Sequence, residues 1–165
     1  MKVIIFGATG MVGRGVLLEC LDDERVERVL IVTRTPMNVK HGKVHELVPQ
    51  SFFDFSAAQS EFAGYDACFF CLGVSSVGMS EREYDHLTYD LTLAAATAIA
   101  SVTARRLTFC YVSGEGTDST NPAAWSAFVN SVPPIPRRGH TSRVVCPGCD
   151  PDRLMDWIAT HSTTS

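Results

Sequence analysis

Two stretches of the chain carry residues able to do chemistry. Phe6–Gly13, FGATGMVG, sets three glycines at intervals of three. Where a strand turns into a helix, that spacing suits a bound pyrophosphate. Gly7 permits a turn that a side chain would block, Gly10 lets the backbone approach the phosphates, and Gly13 lets the helix pack closely on the strand. The amides of Thr9, Gly10, Met11 and Val12, at the positive end of that helix, then face the diphosphate. The alternative is a glycine-rich turn with no ligand. The second stretch is Thr108–Thr120, TFCYVSGEGTDST, which brings Ser113 to the end of an apolar run. Open α/β sheets bind ligands at such carboxyl edges.

Positioning both stretches takes a sheet. Apolar, β-branched runs predict strands at Lys2–Phe6, Val29–Thr33, Val44–Val48, Ala67–Leu72 and Leu107–Ser113. Helical spacing of Val12, Val16, Leu17, Cys20 and Leu21 predicts a helix over Met11–Leu21, and the alanine-rich Thr88–Ala104 predicts another. Strands apolar throughout, alternating with helices, indicate an α/β fold: a doubly wound parallel sheet, here truncated after about five strands. The composition then changes. No lysine follows Lys43, no glutamate follows Glu115, and six of the eight prolines fall within 121–165. Residues 1–120 are therefore expected to form the folded domain, and 121–165 an atypical tail with one helix near 150–160, where Asp150 caps and Pro151 starts the first turn. A shifted reading frame near Asn121 would account for the change.

The G-x-x-G-x-x-G spacing resembles the short-chain dehydrogenase/reductase superfamily, and GATGMVG resembles its extended and atypical branches. FFDFS, GYDACFFCLGVSSVGMSEREY, YDLTLAAA and YVSGEGTDST extend the likeness over about residues 1–120. Together they are similar to epimerase/dehydratase-type members, near the Tat-interacting-protein oxidoreductases and the NmrA-like proteins. The resemblance implies a Rossmann domain that binds NAD(P). It also implies that Asp54 and Phe55 border the adenine and that Cys71, Leu72, Gly73 and Val74 line the cofactor's central portion. Gly73 has an independent argument, since a glycine at a strand end admits close approach of a ligand.

The second strand ends IVTRTPM. Sites that prefer NAD usually place Asp or Glu there, to accept the ribose hydroxyls. Arg34 occupies the position instead, and a guanidinium can bind a 2′-phosphate bidentately. Such a contact is worth roughly 1.5–3 kcal/mol, or about ten- to a hundred-fold in affinity. NADP(H) is the expected cofactor, with NAD possible; the alternative is a solvated surface arginine. Arg14 has the same two readings, phosphate contact or solvated helix residue.

Family members carry a serine at the position of Ser113 that hydrogen-bonds the substrate carbonyl, and follow it with Tyr-x-x-x-Lys. The resemblance so implies a catalytic Ser113, but the pair is missing: Tyr111 precedes the serine and no lysine follows it. Without that proton relay about 10²–10⁴ in rate is forfeited. Two function classes follow. One is an oxidoreductase or epimerase using Ser113 with a non-standard acid; the other is a non-catalytic NADP(H)-binding or redox-sensing regulator. The substrate is not legible.

Other constellations point to less. Cys68 and Cys71 lie an odd number of positions apart on a strand, so they take opposite faces and cannot chelate together. Cys146-Pro-Gly-Cys149 turns more readily toward metal or redox work, but its spacing fits no recognised zinc module, and no metal is expected. SGEG fails the nucleophile pattern of a serine hydrolase. A net charge of −4 argues against nucleic acid, and no apolar run reaches the roughly 20 residues a membrane span needs. A cytoplasmic protein is expected, with possible homo-oligomerisation through an uncovered sheet edge.

Overall fold

The computed structural model describes residues 1–73, 78, 80, 86–102, 107–112 and 141–145. Its strands are β1 (Lys2–Phe6), β2 (Arg28–Val32), β3 (Val44–Leu47), β4 (Ala67–Phe70), β5 (Thr108–Val112) and β6 (Thr141–Val145). Helix α1 (Met11–Asp22) follows β1, and α2 (Leu91–Val102) precedes β5. A 3₁₀ turn covers Ser56–Phe62, and one π turn, His86–Asp90, runs directly into α2.

The strands lie in the order β3-β2-β1-β4-β5-β6, all parallel. From β1 the chain moves outward to β2 and β3, then returns to β4 on the other side of β1. The direction of winding therefore reverses between β1 and β4, and a crevice opens at their carboxyl ends. Val3 pairs with Val29 and Ala67, and Phe6 with Val32 and Phe70.

The doubly wound parallel sheet is the one expected, with one strand more. β6 pairs with β5 from Thr108↔Thr141 to Val112↔Val145, so the margin of β5 expected to lie open is covered. Thr141, Val144 and Val145 have strand propensity, but the run is short, polar at Ser142 and Arg143, and preceded by a proline cluster. What selects it is tertiary: the free ladder of β5 supplies partners for its backbone. The helix expected near 150–160, the proposed domain boundary and Cys146 and Cys149 lie outside the described residues.

Both faces of the sheet are buried, and the residues alternate between them. Val3, Ile5, Val29, Ile31, Ala67, Phe69 and Cys110 point to the face covered by α1, which contributes Val16, Leu17 and Cys20. Ile4, Phe6, Leu30, Val32, Cys68, Phe70 and Phe109 point to the opposite face, against Ala95, Ala96 and Ile99 of α2 and Phe62 of the 3₁₀ turn. Each buried Val, Leu, Ile or Phe among them contributes about 1.5–3 kcal/mol. Cys68 is thus on one face while Cys71 packs on the other, as their spacing requires.

α1 has poor intrinsic propensity, with glycines at 13 and 15, each about 1 kcal/mol worse than alanine. Packing of its apolar stripe and a cation at its end hold it. Lys43 Nζ donates to the carbonyls of Leu21 and Asp23 at 2.7 and 2.9 Å, satisfying the helix's negative C-terminal end.

Candidate functional site

The chain leaves β1 at Phe6 and turns at Gly7, whose φ of +78° lies in the left-handed region. Geometry alone excludes a side chain there: a Cβ would sit 2.7 Å from the Cys71 carbonyl oxygen and 2.9 Å from the Leu72 nitrogen. Gly13 is equally constrained, since its Cβ would lie 2.2 Å from the Gly7 carbonyl oxygen. These two glycines bring the first turn of α1 against the end of β1 and the segment following β4. Gly10 differs. It is the N-cap residue, and its Cβ would meet the protein only at 3.4 Å, so packing does not demand glycine there.

Among the described residues no side chain caps the start of α1, and its first turn holds no acidic residue. The helix therefore offers uncompensated amides and a positive dipole end. The Gly10 amide is an exception to the expected set of four, because it donates to the Gly7 carbonyl at 3.0 Å. Met11 is 90% exposed and Val12 40% exposed, and neither lines the cavity beside the turn.

A cavity of about 300 Å³ opens beside this turn, at the reversal of winding. Gly7, Ala8 and Thr9 form one wall. Val32, Thr33, Arg34 and Thr35, leaving β2, form a second, polar one. Phe52 and Phe53 after β3, Leu72 and Gly73 after β4, and Leu87 and Leu91 close the remainder with mostly apolar surface. Leu87 lies in the π turn and Leu91 opens α2. Cradle, uncapped amides, cation and apolar wall together fit a ligand with phosphates at one end and a planar apolar group beside them.

Of the residues expected at the site, Gly7, Thr9, Arg34, Leu72 and Gly73 line this cavity. Arg34 is exposed at its mouth. Among the described residues a Cβ on the exposed Gly73 would touch nothing within 4 Å. Gly10, Met11, Val12 and Gly13 belong to the turn and helix start behind Thr9. Asp54 and Phe55, expected to border the adenine, are not among the residues that line this cavity. Phe55 is 2% exposed and packs its ring 5.8 Å from Phe6 and 5.6 Å from Phe62. Asp54 accepts the Ser56 amide at 2.9 Å, a bond that holds its carboxyl below the usual range. Phe52 and Phe53 take the lining positions instead. Cys71 serves through its backbone against Gly7, while burial pushes its thiol up to about 12. Val74 and Ser113 lie outside the described residues; β5 ends at Val112, one position before the serine, on the same carboxyl edge.

Phe52, Leu87, Leu91, Thr33 and Thr35 were not singled out by the sequence. The two threonines flank Arg34, and the apolar pair Leu87 and Leu91, four apart, is a helical-face signal. Nothing local, however, aims either set at a cavity.

No family model matches the sequence. Among curated proteins, leucinostatins biosynthesis cluster protein T of Purpureocillium lilacinum is 27% identical over 123 residues, which cover 73% of this chain and 45% of that protein. Among solved structures, uronate dehydrogenase from Agrobacterium tumefaciens complexed with NAD superposes with a TM-score of 0.56 at 18% identity, over 70% of this chain and 42% of that one. A short-chain dehydrogenase/reductase superfamily protein from Agrobacterium tumefaciens with bound NAD gives 0.54 at 21%, over 69% and 33%. The PhqB reductase domain from Penicillium fellutanum gives 0.62 at 16%, over 89% and 48%. The chain thus spans less than half the length of each. These superpositions establish the Rossmann-type fold of the short-chain dehydrogenases and epimerases that the sequence resembles.

Proposed function

We propose that this chain binds a nicotinamide dinucleotide in the crevice between β1 and β4, prefers NADP(H), and has an oxidoreductase- or epimerase-type scaffold. The observation that carries the reading is the pair of obligate glycines, Gly7 and Gly13, which bring an uncapped helix start to the edge of the cavity that Arg34 also lines. In this reading the first-turn amides of α1 hold the diphosphate. Arg34, flanked by Thr33 and Thr35, receives the 2′-phosphate. Phe52, Phe53 and Leu87 border the adenine, and Leu72 and Gly73 lie along the centre of the cofactor. When bound, the nicotinamide exchanges a hydride with substrate; Ser113 holds the substrate carbonyl by a hydrogen bond. Known binders of NAD with this fold support the first statement, and the absence of a carboxylate after β2 supports the preference for the phosphorylated form.

A second reading, a dinucleotide binder without turnover, is favoured by one observation. Lys43 is the last lysine of the chain, and its ammonium is engaged at the far end of α1. Within these residues no lysine follows Ser113 in the family's position, where it would lower the pKa of an acid beside the serine.

Titration with NADPH and NADH tests the proposal. The wild type is expected to favour NADPH, and Arg34→Ala to weaken NADPH about ten- to a hundred-fold while leaving NADH nearly unchanged. An unchanged ratio removes Arg34 as the selector, and folded protein that binds neither nucleotide overturns the reading. NADPH oxidation across a panel of carbonyl compounds separates the two function classes.

A further inference from the structure

Residues 33–43, which join β2 to β3, contain no helix, yet they carry Arg34 to the mouth of the cavity. A guanidinium on a loose loop would have to be ordered when ligand binds, and that ordering weakens binding. The loop is not loose. Before Arg34, the Thr33 amide donates to the Leu47 carbonyl at 3.0 Å, and the Thr33 hydroxyl donates to the Thr35 carbonyl at 2.9 Å. Pro36 follows and fixes its own φ.

After Arg34, one side chain gathers the backbone. Glu46 Oε2 accepts the Met37 amide and its Oε1 accepts the Val39 amide, each at 2.8 Å. Between them Asn38 sits at φ +56°, the left-handed conformation that turns successive amides toward one anion. Glu46 is on β3, whose backbone is fixed to β2 by the pairs Leu30↔His45 and Ile31↔Glu46. The carboxylate therefore transfers the rigidity of the sheet to the segment three residues beyond Arg34.

We propose that Glu46 is a positioning residue for nucleotide selection, holding the β2–β3 connection so that Arg34 meets the 2′-phosphate already ordered. This rests on the dinucleotide reading above. It also carries a sign that plain electrostatics does not. Replacing a carboxylate near the site by an amide removes negative charge, which by itself favours a phosphorylated ligand. Loss of positioning acts the other way, since glutamine has a single acceptor oxygen for the two amides.

The test is a set of NADPH and NADH dissociation constants for wild type, Glu46→Gln, Glu46→Asp, Arg34→Ala and the double variant Arg34→Ala/Glu46→Gln. Glu46→Gln is expected to raise the Kd for NADPH about three- to tenfold and to leave that for NADH within about twofold. Glu46→Asp keeps the charge but is too short to span both amides, so it moves NADPH the same way; it also serves if the glutamine variant does not fold. In the Arg34→Ala background Glu46→Gln leaves the nucleotide ratio where Arg34→Ala put it. NADPH binding that is unchanged or tighter, or equal weakening of both nucleotides, overturns the inference while leaving the dinucleotide reading intact. Wild-type protein that binds neither nucleotide overturns both.

Discussion

On one face of the sheet Val3, Ile5, Val29 and Ile31 meet α1 through aliphatic and thiol groups; on the other, Phe6, Phe55, Phe62, Phe70 and Phe109 meet one another through rings. The mostly aliphatic face, with Phe69 as its buried ring, is where Gly13 lets α1 close until helix and turn backbones touch. The aromatic face is open at one end, where Phe52, Leu72 and Leu91, packed at its margin, also line the cavity. The difference teaches a division of labour. One face sets the distance and direction of the helix that offers amides; the other supplies bulk stability and ends as the wall of the pocket.

That division can be broken by substitution. The largest effect is expected from Phe62→Ala, deep in the ring cluster and fully buried. It should cost about 4 kcal/mol of stability, read from urea unfolding, and leave nucleotide affinity in the remaining folded protein within about twofold. Gly13→Ala should destabilise less, by about 2 kcal/mol through overpacking, but weaken dinucleotide binding at least tenfold by pushing α1 away from Gly7. If the two variants lose stability and affinity in the same proportion, the division is wrong. The smallest effect has the opposite sign. A Cβ at Gly15 meets nothing within 4 Å, so Gly15→Ala should stabilise by about 1 kcal/mol with affinity unchanged, measured by the same two assays.

The same contrast explains what the sequence made legible. Lys2–Phe6, Arg28–Val32 and Ala67–Phe70 are buried on both faces, so their unbroken apolar runs announce strands without help from context. The glycine turn was readable in part because the exclusion at Gly13 acts locally, against Gly7 six residues before it. Gly7 itself, however, is held by Cys71 and Leu72 from the distant β4 end. β6 was not, because its pairing with β5 selects it rather than its own polar-interrupted pattern. In FFDF the sequence offers three phenylalanines with nothing to say which faces the core. Phe55 is the buried one, beside the Asp54–Ser56 bond, and Phe52 and Phe53 line the pocket. Leu87 and Leu91 come from a distant part of the chain, and the wide π turn preceding α2 brings them in. Burial likewise settles the thiols: Cys20 and Cys71 are held up to about 12, which makes them core groups and leaves them un-ionised at neutral pH.

β3 is a four-residue strand at the margin of the described sheet, with His45 exposed, and it is paired on one side only, with β2. Yet Lys43, just before it, tethers the far end of α1, and Glu46, within it, tethers the Arg34 segment. A margin that frays first in any sheet is here fastened to two elements of the crevice. Opening of β3 with Lys43 would slacken both, so amides at the end of α1 and in residues 37–39 are expected to exchange together in a hydrogen-exchange measurement, and a ligand gripping both to protect a strand it never touches.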